Sequence, residues 1–358
     1  MHVIAAMSGG VDSSVAAALL LEAGHRVTGV FLRNGVHAGA AARRGKQGCC
    51  SVGDAQDAAR VADLLGIPFY ALDFAREFDR LVDDFAAEYA RGRTPNPCVA
   101  CNRDLKMGRL LGFAAALGGE AVATGHYARR EDAGGRAALR IPADERKDQT
   151  YVLFPLSQAQ LRRTLLPLGE LRKDEVRALA RDRGLPVHEK PESMEICFVP
   201  GGDYRAVLEE RAPAALRPGP LVDGATGQRV GTHGGVGAVT VGQRRGLGVS
   251  GAAALYVTGI DAATNTVRVG SRDDLLRREV RASGWNDVGL RLTAEPVRGL
   301  ARVRRNHEPQ PAAARREGDA VVVAFDVPVA APAPGQALVL YDSAGLVLGG
   351  GWIESSTS

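Results

Sequence analysis

Short apolar runs alternate with amphipathic stretches along the first third of the chain. The runs predict buried strands of a parallel sheet, at residues 2–6, 26–33 and 67–72. Apolar positions at helical spacing predict the helices between and after them, at residues 15–23, 54–65 and 76–91. Gly24 and Gly66 predict where the first two helices end. This β-α-β-α order predicts a right-handed, doubly wound α/β domain with a mostly parallel sheet, in which ligands bind at the carboxyl ends of the strands.

The pattern changes near residue 201. Before it, helices are predicted at 103–117 and 173–183, a strand with a closing turn at 121–127, and a loop at 34–47. From Gly201 onward Gly and Pro are frequent and helical spacing is absent. A hairpin is predicted at 255–260 and 266–269, with further strands at 320–325, 337–341 and 346–353 and a loop at 329–334. The second part is therefore predicted to be all-β, in one or two small units with a boundary near 277–281.

The turn after the first strand, MSGGVDSS at residues 7–14, carries the clearest chemical signal. A strand, a glycine turn and a helix N-terminus direct free N–H groups and the positive end of a helix dipole to one place, which suits a phosphate. Gly9 and Gly10 lack a Cβ, so the backbone can approach an oxyanion. Ser13 and Ser14 can cap the helix or donate to phosphate. The turn lacks the Lys of a GxxxxGK[ST] loop, and Ser-Gly-Gly alone is typical of an ordinary capped turn.

Composition narrows the class of protein further. The 358 residues, 45% hydrophobic and 24% charged, suffice for one to three domains with buried cores. The net charge of +4 permits a polyanionic partner without requiring one, and the scattered arginine pairs are typical of solvated faces. No apolar run reaches membrane length, no signal peptide is recognisable, and five unevenly spaced cysteines argue against a secreted disulfide framework. We therefore expect a cytoplasmic protein with functional thiols and no membrane partner.

Two cysteines lie in the proline-rich segment TPNPCVACN, residues 94–102. A helix from residue 103 would put Cys101 near its N-terminus, where a thiolate is favoured. A single CxxC is compatible with a metal site, a redox pair or chance, because no second CxxC or CxxH is present. Cys197 and the Cys49-Cys50 pair are the other candidates. Taken alone, Cys197 is typical of a small buried apolar side chain, His126 of a core histidine, and residues 147–149 of a helix cap.

The order of these motifs is similar to that of one enzyme family. SGGVDSS at 8–14 resembles the SGGxDS pyrophosphate loop of the N-type ATP pyrophosphatases, which cut ATP between its α and β phosphates and adenylate a carbonyl oxygen. The whole chain resembles the tRNA-specific 2-thiouridylase family, which replaces the 2-oxygen of the wobble uridine of certain tRNAs with sulfur. The segments that carry this resemblance are CCS at 49–51, TPNPCVACN at 94–102, ATGHYAR at 123–129, KDQTYVL at 147–153, EICF at 195–198, GQRRGLG at 242–248, APGQ at 333–336 and VLGGGWI at 347–353.

The resemblance implies three domains and the use of ATP. The expected domains are an ATP pyrophosphatase catalytic domain at 1–200, a central β-rich domain at 201–278 and a C-terminal tRNA-binding β-barrel at 279–358. ATP is expected to be cut to AMP and pyrophosphate, which turns the C2 oxygen of uridine 34 into a good leaving group. Asp12 and Ser14 are the expected partners of Mg²⁺. The expected ATP contacts are Ala6, Met7, Ser8, Gly9, Gly10, Val11, Asp12, Ser13, Ser14, Leu32 and Gly125.

The resemblance also assigns the sulfur chemistry. Cys197 matches a cysteine that carries a persulfide, received from a sulfur-relay protein or a cysteine desulfurase. Cys101 matches a nucleophile that attacks the persulfide, or the activated base, and leaves a transient Cys101–Cys197 disulfide. Thiol–disulfide exchange requires the two sulfur atoms to come within bonding distance. We therefore expect both residues in one cleft with the pyrophosphate loop.

The implied partner is the anticodon loop of tRNAs with a wobble uridine. Single-stranded anticodon bases can be splayed into a loop-lined pocket, and the β-barrel is expected to hold the stem. The target base is expected to contact Asn96, Pro97 and Cys98. Other tRNA contacts are expected from His126, Lys147, Asp148, Gln149, Arg304, Arg305 and Gln336.

Three positions depart from the family pattern. Some members have, at the position of Cys98, an Asp that acts as a general acid and base. Met194 stands where Gln is common, and the segment at Arg304 and Arg305 lacks the usual Tyr. Cys98, Cys101 and Cys197 could instead hold a [4Fe-4S] cluster whose open iron binds sulfide. No persulfide would then be needed, and Cys101 would be a ligand.

Two other functions remain open from the sequence. The chain could be a different ATP pyrophosphatase that adenylates a small molecule, since the loop alone allows it; pyrophosphate release with a small acid but not with tRNA would favour this. It could also be a non-catalytic RNA-binding Fe–S protein, which would bind tRNA and release no pyrophosphate.

Overall fold

The computed structural model describes residues 1–35, 52–192, 196–199, 201–249 and 254–357. Contacts between residues divide the chain into two units. The first unit consists of Met1–Leu81, Cys98–Gly202 and Gly345–Val347, and the second of Val82–Pro97, Asp203–Ala344 and Leu348–Ser358. Most of the loop predicted at 34–47 lies outside the described residues, as do Cys49, Cys50, Ser51, Met194 and Glu195.

The chain up to residue 199 contains the α/β elements. Its strands are β1 (His2–Ala6), β2 (Arg26–Arg33), β3 (Phe69–Asp73), β4 (Ala121–Ala123), β5 (Arg129–Ala133), β6 (Arg136–Arg140) and β7 (Thr164–Leu165). Its α-helices are α1 (Val11–Glu22), α2 (Val52–Leu65), α3 (Ala75–Ala90), α4 (Pro97–Ala100), α5 (Leu110–Ala116), α6 (Gln158–Arg162) and α7 (Lys173–Asp182). The strand with a closing turn predicted at 121–127 is present, with the strand at Ala121–Ala123 and the chain turning after it.

Five strands form a parallel sheet in the order β3-β2-β1-β4-β7. Val3 of β1 is aligned with Val27 of β2 on one side and with Ala121 of β4 on the other. The strand order thus reverses beside β1, as in doubly wound sheets, whose crossovers are normally right-handed and put helices on both faces. Such a reversal opens a crevice at the carboxyl ends of β1 and β4, where the pyrophosphate loop and Gly125 follow. The predicted doubly wound fold is confirmed.

Helix α1 is buried around most of its circumference. Val15 and Ala17 are fully buried in the core of the sheet, and the many alanines let the helix approach its neighbours closely. Gly24 ends the helix with φ +78°, as predicted. The predicted start at residue 15 was wrong, because the extended Gly10 already caps the helix and Val11 is its first residue. Residues 12–14 therefore belong to the first helical turn.

The helix predicted from residue 103 begins earlier, at Pro97. A π-helical stretch, Cys101–Arg109, joins α4 to α5 and makes one continuous rod. Gln160 of α6 donates hydrogen bonds to the carbonyl oxygens of Arg103 (2.9 Å) and Met107 (2.8 Å), which satisfies carbonyl groups of this stretch. Cys101 is therefore the fifth residue of this rod, and Cys98 lies in its first turn.

The second unit is rich in strands, as predicted. Its central sheet has the order β10-β11-β8-β9, with β8 (Gly219–Asp223), β9 (Arg229–His233), β10 (Tyr256–Asp261) and β11 (Thr266–Gly270). The antiparallel β10 and β11 confirm the predicted hairpin. Leu221, Val257 and Val267 are fully buried between these elements. One expectation was wrong, because a short helix, α8 (Arg205–Arg211), follows residue 201.

The C-terminal strands close into a barrel in the order β12-β15-β14-β13-β16-β17. They are β12 (Leu276–Asp287), β13 (Val297–Arg302), β14 (Gln310–Glu317), β15 (Ala320–Ala330), β16 (Ala337–Tyr341) and β17 (Val347–Thr357). Antiparallel pairing of β12 with β17 completes the ring, which confirms the predicted barrel. The predicted loop at 329–334 is shorter, since β15 runs to Ala330.

Candidate active site

The pyrophosphate loop is a tight turn tied together by its own serines. The hydroxyl of Ser13 accepts a hydrogen bond from the Ser8 backbone N–H (3.1 Å) and donates to the Gly10 carbonyl (3.1 Å). The Ser14 hydroxyl donates to the same Gly10 carbonyl (2.9 Å). The first N–H groups of α1 have no intrahelical acceptors and point out of its N-terminus, as an anion site requires.

Two glycines make this arrangement possible. Gly9 has φ +73°, and a Cβ there would lie 2.2 Å from the carbonyl oxygen of Asp54. A Cβ at Gly125, just beyond β4, would lie 2.7 Å from the backbone nitrogen of Ser13. Gly125 therefore packs directly against the first turn of α1. This contact brings the ends of β1 and β4 together around the loop.

Asp12 is the centre of a charged cluster at the start of α1. Lys173, the first residue of α7, donates from its ammonium to both carboxylate oxygens of Asp12, each at 2.8 Å. The Tyr127 hydroxyl donates to the same carboxylate at 2.8 Å. Burial, reinforced by the negative charge of Asp12, raises the pKa of the Tyr127 hydroxyl far above its usual range. Tyr127 therefore stays protonated and acts as a hydrogen-bond donor.

Glu192 extends the cluster with two lysines. Its carboxylate accepts from Lys147 at 2.8 and 3.0 Å and lies 3.2 Å from the ammonium of Lys173. Burial acts to raise the pKa of Glu192, but the hydrogen bonds from Lys147 and Lys173 outweigh it and hold the pKa below its usual value. Two lysines and two carboxylates thus alternate beside the loop, and Lys173 is only 12% exposed.

Lys190 supports the loop from its other side. Its ammonium donates to the Gly9 carbonyl (3.0 Å) and to the carboxylates of Asp54 (2.6 Å) and Asp57 (2.6 Å) of α2. Burial acts to lower the pKa of Lys190, but hydrogen bonds to both aspartates outweigh it and raise the pKa. Arg177 donates to the backbone carbonyl of Lys190 at 3.3 Å and so anchors its backbone. A charged lysine therefore fixes the orientation of the Gly9 peptide.

The predicted Mg²⁺ ligands, Asp12 and Ser14, are hydrogen-bonded within the protein in this arrangement. Ser14 is completely buried, and its hydroxyl is hydrogen-bonded to Gly10. Both oxygens of Asp12 already accept from Lys173. The loop has positive groups suited to phosphate oxygens, and the binding of Mg²⁺ by Asp12 and Ser14 stays a prediction.

The three described cysteines occupy different environments. Cys98 is exposed, whereas Cys101 and Cys197 are half-buried. Cys197 lies in a turn closed by a hydrogen bond from the Val199 N–H to the Ile196 carbonyl (2.8 Å). The neighbouring Phe198 packs edge-on against Phe78, with ring centroids 5.7 Å apart. Within the described part of the chain, no three His, Cys, Asp or Glu side chains group as a metal site would require, so these cysteines do not fit the predicted cluster.

Several predicted tRNA contacts near the loop also hold the protein together. His126 is buried, with Nδ1 2.8 Å from the Thr124 hydroxyl. Asp148 accepts hydrogen bonds from the backbone N–H and the hydroxyl of Thr150. The Gln149 side chain accepts from the backbone N–H of Tyr127 at 2.8 Å.

The remaining predicted tRNA contacts lie in the second unit. Arg304 and Arg305 are exposed, and Arg304 donates to the Ala330 carbonyl at 3.1 Å. Asn96 is half-buried and Pro97 is buried. The side-chain amide of Gln336 donates to the Thr94 carbonyl at 2.8 Å.

The residues that sequence reasoning missed all come from outside the loop motif. Lys173 and Lys190 lie 161 and 181 positions from the residues they contact, Asp12 and Gly9. Tyr127, Asp54 and Glu192 were likewise unassigned. A lysine at the start of the helix predicted at 173–183 was the one available signal, because cations are unfavourable at a helix N-terminus unless an anion faces them.

Comparisons with known proteins agree with this architecture. Family models match residues 1–201 as a "tRNA methyl transferase HUP domain", 205–271 as a "tRNA methyl transferase PRC-barrel domain" and 277–353 as an "Aminomethyltransferase beta-barrel domain". The chain is 49% identical to the tRNA-specific 2-thiouridylase MnmA of Mycolicibacterium paratuberculosis, over 95% of this chain and 94% of the relative. It is 47% identical to that of Carboxydothermus hydrogenoformans, over 98% and 97%.

Solved structures are less similar. A 4-thiouridine synthetase in complex with RNA and ATP shares 17% identity and a TM-score of 0.38, over 59% of this chain and 50% of that one. None of the helices in the described ranges has the length and apolar character needed to cross a membrane. The sequence relatives, similar over nearly their whole length, establish that the chain belongs to the tRNA-specific 2-thiouridylase family.

Proposed function

We propose that this protein is a tRNA-uridine 2-sulfurtransferase that acts on the wobble uridine, position 34, of tRNA and consumes ATP. The relatives that share nearly half of its residues are named for this activity. The observation that carries the proposal is the pyrophosphate loop itself, with Gly9 in the left-handed region and Lys173 and Lys190 on either side. We also propose that it works in the cytoplasm.

In the first step, the loop holds the phosphates of ATP. The N–H groups at the start of α1 face the phosphate oxygens, and Lys190 keeps the Gly9 peptide in the orientation this requires. The ammonium of Lys173 lies beside Asp12, so it can move a short distance toward an incoming phosphate. The uracil C2 oxygen attacks the α-phosphorus and pyrophosphate leaves. A positive loop stabilises the negative charge that develops on that leaving group.

In the second step, sulfur replaces the adenylated oxygen. Cys197 carries a persulfide supplied by a cysteine desulfurase or a sulfur-relay protein. The thiolate of Cys101 attacks the inner sulfur of that persulfide, which forms a Cys101–Cys197 disulfide and releases hydrosulfide. Hydrosulfide adds to C2, and AMP leaves with the original oxygen. A thiol reductant then reduces the disulfide with two electrons before the next turnover.

Residues in the first half of the chain and residues of the barrel both contact the tRNA. We propose that Asn96, Pro97 and Cys98 contact the target base, and that Lys147 contacts tRNA near the loop. Arg304 and Arg305 are exposed cations, as phosphate contacts need to be. We propose domain limits of 1–200, 201–278 and 279–358 for the catalytic domain, the central domain and the tRNA-binding barrel.

A test is the release of pyrophosphate on adding tRNA. With ATP and a tRNA that has uridine at position 34, we expect release that stops when cytidine occupies that position. Release with a small carboxylic acid and none with tRNA would contradict the proposal and favour a small-molecule synthetase. Binding of tRNA without any release would favour a non-catalytic RNA-binding protein.

A further inference from the structure

The segment just before Cys98 is held by the loop that connects β15 and β16 of the barrel. The backbone N–H of Thr94 donates to the Pro334 carbonyl, and the side-chain amide of Gln336 donates to the Thr94 carbonyl, both at 2.8 Å. The same loop therefore satisfies both main-chain polar groups of Thr94. Thr94, Pro334 and Gln336 all belong to the second unit.

A charged contact fixes the preceding residue. The guanidinium of Arg93 donates to the two oxygens of Glu354 of β17 at 2.7 and 3.2 Å, and to Glu88 at 2.7 Å. The Ser283 hydroxyl donates to Glu354 at 2.6 Å and orients it. The Arg93 side chain is 21% exposed. A two-point Arg–carboxylate contact of this kind fixes direction as well as distance.

Glycine is required where the loop meets the segment. Gly335 has φ +88°, and a Cβ there would lie 3.0 Å from the Thr94 nitrogen. A side chain at this position would separate the two backbones. Gly335 therefore allows the loop backbone to approach Thr94 closely.

We propose that Arg93, Thr94, Gln336 and Glu354 form a clamp that positions Asn96 and Pro97 for the target base. The inference rests on the proposed function, which gives those two residues the base contact. Gln336 is then a positioning residue that acts through Thr94. Its main-chain groups are also engaged, since its N–H donates to Ala333 and its carbonyl accepts from Ile353. This differs from the role of a direct tRNA contact that its sequence position suggests.

Steady-state kinetics distinguish a positioning role of Gln336 from a direct contact with tRNA. Gln336→Glu keeps the shape of the side chain but replaces its N–H donor with an acceptor that repels the Thr94 carbonyl. We expect kcat for thiolation to fall by about 10- to 100-fold, because small misplacement of a substrate contact has effects of that size, while KM for tRNA changes less than about twofold. A loss carried mainly by KM, or no loss, would overturn the clamp.

Gln310→Glu is the matched control. Gln310 lies on the same barrel, and its amide donates to the nearby Glu308 carbonyl at 3.3 Å instead of to the clamped segment. We expect wild-type kcat and KM from this variant. A fall in kcat like that of Gln336→Glu would overturn the proposal, because any new barrel charge would then suffice.

A second pair of variants decides the matter if Gln336→Glu does not fold. Arg93→Gln and Glu354→Gln each break the charged contact, and we expect a similar fall in kcat from each. The double variant should lose little more than either single one, because the two residues act as one unit. Multiplicative losses would overturn the clamp. Wild-type protein that thiolates no tRNA would remove the proposed function and the clamp together.

Discussion

The pyrophosphate loop and the segment at residues 93–97 are both short connections with proposed substrate contacts, but different forces hold them. The loop lies among shielded charges, with Lys190 bonded to two aspartates and Lys173 to Asp12. At the segment, Arg93 pairs with Glu88 and with the 40% exposed Glu354, and two neutral hydrogen bonds hold the main chain of Thr94. Shielded charges resist screening by salt, and their loss is costly. Removal of a single charge should therefore cost more at the loop, which charged contacts hold on both sides, than at the segment, which neutral hydrogen bonds also hold.

The largest effect is expected at the centre of the loop cluster. Asp12→Ala removes the carboxylate that holds Lys173 and accepts from Tyr127, so the ammonium is no longer fixed beside the proposed phosphate site. We expect tRNA-dependent pyrophosphate release to disappear while thermal unfolding stays cooperative. Asp63→Ala, at an exposed position of α2, is the control and should keep full activity. Full activity in Asp12→Ala would refute the role given to this carboxylate.

Cys197→Ser separates the sulfur step from the nucleotide step. Serine cannot carry a persulfide, so we expect no thiolated tRNA. The loop is unchanged, so pyrophosphate release on adding tRNA should stay measurable. The two products are quantified in the same reaction, by mass spectrometry of tRNA nucleosides and by a coupled pyrophosphate assay. Continued thiolation would remove Cys197 from the mechanism.

Lys190→Met tests how much the shielded charge stabilises the loop. Two carboxylates would remain without their shared cation, and Asp54 is only 6% exposed. We expect a loss of about 3 kcal/mol in the free energy of unfolding, measured by urea denaturation. Arg60→Met is the matched control, since Arg60 pairs with Asp57 from a position 70% exposed and should cost less than about 1 kcal/mol. Equal losses in the two variants would show that the loop charges are no different from surface pairs.

A smaller effect is expected from Glu192 in acid. Its pKa in the folded state lies below the ordinary value of 4.5, so the unfolded chain binds the proton more readily. The stabilisation is therefore complete above about pH 4.5 and is lost as the pH falls through the lowered pKa. Glu192→Gln should flatten this acid limb in thermal melts. Glu189→Gln, 90% exposed in the same segment, should leave it unchanged, and the opposite ranking would contradict the assignment.

Local features of the sequence were enough to predict most of the fold. Residues close in sequence determine the strand, glycine turn and helix around residues 2–22, and the same is true of the hairpin of β10 and β11. The structure contains both of these predicted units. Boundaries failed where tertiary contacts decide them. Pro97 begins a helix six residues earlier than predicted, and its π-helical continuation is supported by Gln160, more than fifty positions away.

The residues of the candidate site also divide into those that the sequence could assign and those that it could not. Gly9, Ser13 and Gly125 could be assigned from a contiguous motif or from family resemblance, and the structure puts them together. Lys190 and Glu192 could not, because a lysine or glutamate in a polar stretch looks the same whether it faces solvent or an oppositely charged group. The contacts of Gln336 were hidden for another reason, since its partner is a backbone carbonyl 242 positions away.

The proposed mechanism depends most on the origin of the sulfur atom. The decisive measurement is a single turnover with iron-free, anaerobically purified protein whose Cys197 carries a ³⁵S-labelled persulfide, together with ATP and tRNA. We predict one label in 2-thiouridine at position 34 for each Cys101–Cys197 disulfide formed. Unlabelled tRNA from this protein, with activity that returns only when a brown, iron-containing form is used, would contradict the account.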